Sequence, residues 1–213
     1  MTIWAQAPEI EWSKVYGGDG DDYPRYIQQT NDNGYIIVGY TRSNNGDVSG
    51  NQGGADIWVL KIDGIGQIEW QKCLATGPNH NEYSYSAQQT TDNGYIIAGF
   101  VEGLNPKGWI IKLDNIGNTE WEVYTPETYD GYRLASIRQT SDGGYVASGQ
   151  KIVGGDFGLY YYYVIKLNNS GEIEWDKFYG GGGGTHYIGM LVGESANSIQ
   201  QTSDGGFIIA GES

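Results

Sequence analysis

The stretch TNDNGYIIVG, Thr30 to Gly39, returns as TTDNGYIIAG from Thr90, as TSDGGYVASG from Thr140 and as TSDGGFIIAG from Thr202. The spacings between copies are 60, 50 and 62 residues. Repeats of this period build solenoids, propellers or arrays, so the fold is decided by what one copy makes. T-x-D-x-G reads as a hairpin turn. Its Asp accepts bonds from backbone N–H groups just ahead, and its final Gly is expected to supply the positive φ that closes the turn. The apolar run behind it reads as a strand.

A second motif alternates with the first: DIWVLKIDGIGQIEW (Asp56 to Trp70), GWIIKLDNIGNTEW (Gly108 to Trp121) and YYVIKLNNSGEIEW (Tyr162 to Trp175). A shortened form, TIWAQAPEIEW, ends at Trp12. In K-[IL]-[DN]-[GN]-x-G the Gly is expected to close a second hairpin. Lys61 and Glu69 are symmetric about Ile65, Lys112 and Glu120 about Ile116, and Lys166 and Glu174 about Ser170. They read as directly opposed cross-strand ion pairs, and therefore as structure rather than catalytic acids.

Each repeat thus supplies four strands. In the first these are IQQT ending at Thr30, YIIVGYT from Tyr35, IWVLKI from Ile57 and QIEWQKCL ending at Leu74. The YYYY run at Tyr160 to Tyr163 begins a third strand. The expected fold is all-β, a β-propeller of four-stranded antiparallel blades. The expected units are residues 19–74, 75–123, 124–178, and 179–213 completed by 1–18. This makes a single domain of four blades, closed by pairing the N- and C-terminal strands. Alternatively, the chain is an excerpt of a longer array with an incomplete last blade. Ala5-Gln6-Ala7 resembles the small-x-small end of a cleaved signal peptide.

Composition narrows the partners. Eighteen Tyr, seven Trp and 35 Gly against five Pro suit a packed, turn-rich β protein. Twelve basic against 26 acidic residues leave a net charge of −14. No basic stripe is present, which argues against nucleic acid and anionic membrane surfaces. No apolar run approaches a membrane span, so no membrane insertion is expected. The lone Cys73 holds the place that Val15, Tyr124 and Phe178 hold in the other repeats, and reads as a packing thiol.

Taken together, W-x-K-x-[FY]-G-G, Q-T-x-D-x-G-[FY]-[IV]-x-x-G and K-[IL]-[DN]-x-x-G-x-x-x-W resemble a large group of bacterial and archaeal secreted repeat proteins. The last pattern is also similar to the tryptophan-docking repeat of quinoprotein-type propellers. That resemblance implies that Trp12, Trp70, Trp121 and Trp175 pack between neighbouring blades. T-x-D-x-G is similar to the Asp-box turn of sialidase-like propellers, which is structural. The resemblance covers scaffold positions, implies a secreted or cell-surface location, and carries no cofactor residues or uniform activity.

Function is therefore sought on the variable loops, which the topology gathers at the end opposite the repeated turns. The candidate ligand-binding residues are Asp21, Asp22, Tyr23, His80, Asn81, Tyr83, Tyr129, Asp130, Tyr132, His186 and Tyr187. Polar groups beside flat rings suit a sugar, whose C–H face stacks while its hydroxyls take hydrogen bonds. Asp19, Asp21 and Asp22 are a weak calcium candidate, and an ordinary solvated turn is the plainer reading. His80 and His186 are a weaker transition-metal candidate. No catalytic motif is present, and Gly180 to Gly184 lacks the residues of a phosphate loop. The leading expectation is a non-enzymatic module for a glycan or small polar ligand. The rivals are a hydrolase or lyase using His80, His186 and loop carboxylates, and a structural unit for an unidentified protein partner.

Overall fold

The computed structural model describes residues 9–154, 159–180 and 194–212. They form 14 strands and no helix. The first sheet is β1 (Asp22–Gln29), β2 (Tyr35–Thr41), β3 (Asp56–Ile62) and β4 (Ile68–Leu74). The second is β5 (Glu82–Gln89), β6 (Tyr95–Val101), β7 (Lys107–Leu113) and β8 (Thr119–Tyr124). The third is β9 (Gly131–Gln139), β10 (Tyr145–Val153), β11 (Leu159–Leu167) and β12 (Ile173–Tyr179). The fourth holds β13 (Ser195–Gln201) and β14 (Phe207–Glu212). Every sheet is antiparallel with strands paired in chain order.

The T-x-D-x-G turn forms as expected, with one reassignment. Gly34 N–H donates to Asp32 Oδ1 at 3.0 Å, and the Gly94, Gly144 and Gly206 turns repeat the bond. The positive φ lies one position earlier, at Asn33, Asn93, Gly143 and Gly205. Gly34 is required for a different reason. A Cβ there would stand 2.3 Å from Ile62 O and 2.5 Å from Lys61 Nζ, because the buried lysine reaches under the turn.

That lysine also corrects the expected register. Lys61 opposes Trp70, and Glu69 is the extra residue of a bulge between the Lys61 and Ile62 pairs. The ion pair forms nonetheless, with Lys61 Nζ 2.6 Å from Glu69 and 2.9 Å from Asp32 of the repeated turn. Lys112 joins Asp92 and Glu120 in the same way, and Lys166 joins Asp142 and Glu174. The Asp32, Asp92 and Asp142 carboxyls all fall to about 2. Hydrogen bonds from threonine, lysine and glycine overcome the cost of their partial burial. The K-[IL]-[DN] and T-x-D-x-G motifs are therefore two halves of one polar cluster around a buried lysine.

The last Gly of the ten-residue motif answers to a second bulge. Tyr85 is the extra residue between the Ser84–Gly99 and Ser86–Ala98 pairs. A Cβ on Gly99 would lie 1.9 Å from Tyr83 O. Gly39, Gly149 and Gly211 meet the preceding strand equally closely.

Successive sheets share apolar seams. Ile36, Val38, Ile57 and Val59 of the first pack with Ala87, Ile97 and Ile111 of the second. Ile96 and Ile110 pack with Leu134, Ile137 and Ile165 of the third. Val146 and Val164 meet Ile199 of the fourth. Glutamines stitch the same seams: Asn31, Thr91 and Ser141 each donate a backbone N–H to Gln89, Gln139 and Gln201, respectively, in the next sheet. Trp70 packs on Tyr95, Trp121 on Tyr145 and Trp175 on Phe207, with ring centroids 5.5–5.9 Å apart.

The two ends of this series differ from the closed expectation. β14 pairs with β13 alone among the described residues, and residues 9–18 form no strand. No glutamine bond joins the fourth sheet to the first among the described residues. Ile27 and Ile208 stay 59% and 61% exposed. A groove of about 700 Å³ lies on the first sheet beside Trp12, Tyr26, Ile37 and Leu60. Trp12 nevertheless lies 6.3 Å from Tyr35 and over Gly66, as Trp70 lies 5.6 Å from Tyr95 and over Gly117. Cys73 is half-buried, and burial pushes its thiol up to about 12, which suits an inert packing role.

Candidate functional site

The register puts Asp22, Thr41 and Asp56 side by side, with Leu74 beside Ile57, so strand starts and ends alternate strictly. Among the described residues, the links between sheets and the second-to-third strand loops thus share one end. The structure distributes the candidate residues there among three roles.

Asp22 is a bracket. Its carboxylate accepts from the Thr41 hydroxyl, from Ser43 Oγ at 2.9 Å and from Gly18 N–H at 2.8 Å. Asp21 is exposed, with Arg42 at 3.9 Å. No group of three or more His, Cys, Asp or Glu gathers as a metal-binding set among the described residues. Asn81 is a stitch, accepting from Ala55 N–H and donating to Glu102, each at 2.8 Å. Asp130 pairs with Lys151 at 3.1 Å. Tyr132 is 3% exposed and packs on Tyr163, whereas Tyr129 is 93% exposed. His186 and Tyr187 lie outside the described residues.

His80 lines a cleft of about 390 Å³ with Glu102, Asn105, Lys107, Tyr124 and Glu127. Its Nδ1 is 2.9 Å from Thr76 Oγ1, whose own proton goes to the buried Glu82 carboxylate. Nδ1 is then the donor, leaving Nε2 as an acceptor. This relay orients the imidazole but does not activate Thr76 as a nucleophile, because the threonine proton is held by Glu82. The second oxygen of Glu82, and Oδ1 of fully buried Asp56, have no donor among the described residues. Burial, then the Glu82 charge, raises the Asp56 pKa.

Tyr23 and Tyr83 belong to a more extended arrangement. Tyr23 stacks on Tyr40 at 4.9 Å, Tyr40 meets Tyr83 edge-on at 4.7 Å, and Tyr83 meets Phe100 at 5.3 Å. Tyr85 stacks parallel to Phe100 at 6.0 Å. The row crosses from the first sheet to the second at the loop end. It exists because β1 and β5 pack together, and because Tyr40 and Phe100 face them from the next strands.

Arginines cover this row, and sequence reasoning did not single them out. Arg25 lies 5.4 Å over Tyr40 and 5.5 Å over Tyr85, and Arg133 lies 5.2 Å over Phe100. Arg138 lies over Tyr26, deeper in the seam, and donates to Ile137 O and Ser86. These three and Arg42 are all the arginines of the chain. The available signal was Y-P-R-Y, G-Y-T-R and G-Y-R-L, in which Arg stands within two residues of Tyr.

No protein-family model matches the chain, and no curated protein matches it. Its function must therefore be read from this geometry.

Proposed function

We propose that the chain is a non-enzymatic binding module, secreted or displayed at the cell surface, that takes a carbohydrate or similar polar ligand at the loop end of a β-propeller. The observation that carries the reading is the ring row Tyr23–Tyr40–Tyr83, backed by the buried Phe100. Flat rings at the surface stack on the C–H face of a sugar, and side chains nearby supply hydrogen bonds to its hydroxyls. The neighbouring cleft at His80 adds carboxylate, amide and ammonium groups within the same end. Tyr23 and Tyr40 are the rings to change first, because Tyr23 is exposed and Tyr40 is half-buried beneath it. The protein is expected to retain glycans on an array, and Tyr23→Ala with Tyr40→Ala to abolish the signal without unfolding. An array with no retained glycan, with or without calcium, overturns this reading.

In this proposal the sheets are successive blades, and the terminal segments complete the fourth. Trp12 supports it, since it occupies the place on Tyr35 and Gly66 that a fourth-strand tryptophan takes at the other seams. Amide hydrogen exchange tests it. Completion predicts that β14 amides are protected as strongly as those of β2. Exchange of alternate β14 amides at the rate of an open edge contradicts it.

A further inference from the structure

The arginines bear on what kind of ligand the ring row takes, an inference that rests on the binding reading above. The chain carries 26 acidic residues, yet neither Arg25 nor Arg133 has a carboxylate within ion-pair distance among the described residues. Both are exposed. The Arg25 side chain uses one donor, to Tyr40 Oη at 3.3 Å, and the Arg133 side chain donates no hydrogen bond among the described residues. A guanidinium has five N–H donors in a planar fork, so most of this capacity is unused among the described residues. Arg25 lies over Tyr85 and Arg133 over Phe100, and those two rings are parallel, with an interplanar angle of 10°. Such a contact uses the charge and leaves the N–H donors free.

Arg25 and Arg133 are exposed and have no carboxylate neighbour among the described residues, so their charge is available to an outside anion. We infer that Arg25 and Arg133 bind carboxylate groups of an acidic saccharide, a uronate-bearing chain whose rings lie along the tyrosine row. A carboxylate matches the guanidinium fork with two parallel bonds, which a neutral hydroxyl does not. The net charge of −14 repels any anion, so the ring contact and the guanidinium fork together must supply the affinity for a uronate chain.

The test is a glycan array carrying neutral cello-, xylo- and manno-oligosaccharides beside oligogalacturonate, polymannuronate and polyguluronate oligomers. It is probed with the native protein, Arg25→Gln, Arg133→Gln and the double variant. Charged hydrogen bonds of about 1.5–3 kcal/mol correspond to roughly 10- to 150-fold in affinity. The expected result is retention of uronate oligomers, with a loss of this size in each single variant. Any neutral glycan retained should be unaffected by the substitutions. Retention of neutral glycans alone, or of uronates by a folded double variant, overturns the acidic assignment and leaves the binding reading standing. No retention at all overturns both. Unchanged thermal melting of the variants shows that any loss is local.

Discussion

Gly99→Ala is expected to cost about 4 kcal/mol or more, in the range reserved for backbone and core disruptions. The added methyl has nowhere to go. Its Cβ would lie 1.9 Å from Tyr83 O and 2.9 Å from Ser84 Cα, and both contacts are backbone atoms of the bulged strand. No rotamer relieves such a contact, so β5 must leave its register with β6 or the bulge must open. β5 also packs on β1 and β9, so displacing it loosens two seams. For a chain of this size, thermal unfolding should fall by roughly 10 °C or more. The other glycine of the motif supplies a control within the molecule. A Cβ on Gly94 meets Leu113 O and Lys112 Nζ at 2.4 Å, whereas on Gly206 the nearest atom is Thr202 Oγ1 at 3.0 Å. Gly94→Ala should therefore destabilise strongly and Gly206→Ala by less than about 1 kcal/mol. Equal losses from the two would show that turn conformation, rather than the lysine beneath it, selects the glycine.

Lys112→Ala is expected to cost about 3–4 kcal/mol. The side chain is 2% exposed, with its ammonium between Asp92 and Glu120 and a bond to Leu113 O at 3.1 Å. Losing a buried stem of several methylenes accounts for about 2–3 kcal/mol at roughly 0.8 each. The ionic part is smaller, about 1 kcal/mol, because Asp92 and Glu120 remain half-exposed and can be solvated once the lysine is gone. Lys112→Met should therefore recover most of the loss, and chemical denaturation of the two variants measures the division. The cluster also sets the acid limit. The Asp92 carboxyl is depressed from 3.8 to about 2, so its contribution is fully present above pH 4 and is lost as pH falls towards 2. In Lys112→Met that acid-induced loss should be smaller, since without the hydrogen bond and charge of the lysine the folded pKa of Asp92 lies closer to its unfolded value.

The strands and turns were legible because each of their residues serves a local need that recurs. The apolar runs gave β2 to β4 within one residue of their observed bounds, whereas β1 starts at Asp22, well before the expected IQQT. The Lys61–Glu69 pairing was visible as a symmetric spacing, but its third member was not. Asp32 looked fully used by its own turn, and only the fold brings Lys61 beneath it. Gly34 was legible as necessary and misread in cause, since sequence shows a glycine but not the ammonium 2.5 Å away. The site was less visible for a physical reason. Arg25 meets Tyr85 and Arg133 meets Phe100 across seams between sheets, at positions that differ from repeat to repeat. Periodicity cannot report contacts that break it. Tyr132, read as a ligand contact from its place beside Asp130, is covered because its ring turns into the third sheet against Tyr163.

The division of labour between the repeated turns and the loop end is tested most directly by measuring glycan retention with folded Lys112→Met beside Tyr23→Ala/Tyr40→Ala, each well below its melting temperature. The turn-end variant should bind as the native protein does despite its lower stability. The loop-end variant should melt nearly as the native protein does and fail to bind. Loss of binding in folded Lys112→Met, with binding retained in the tyrosine variant, would place the site among the repeated turns and contradict the account.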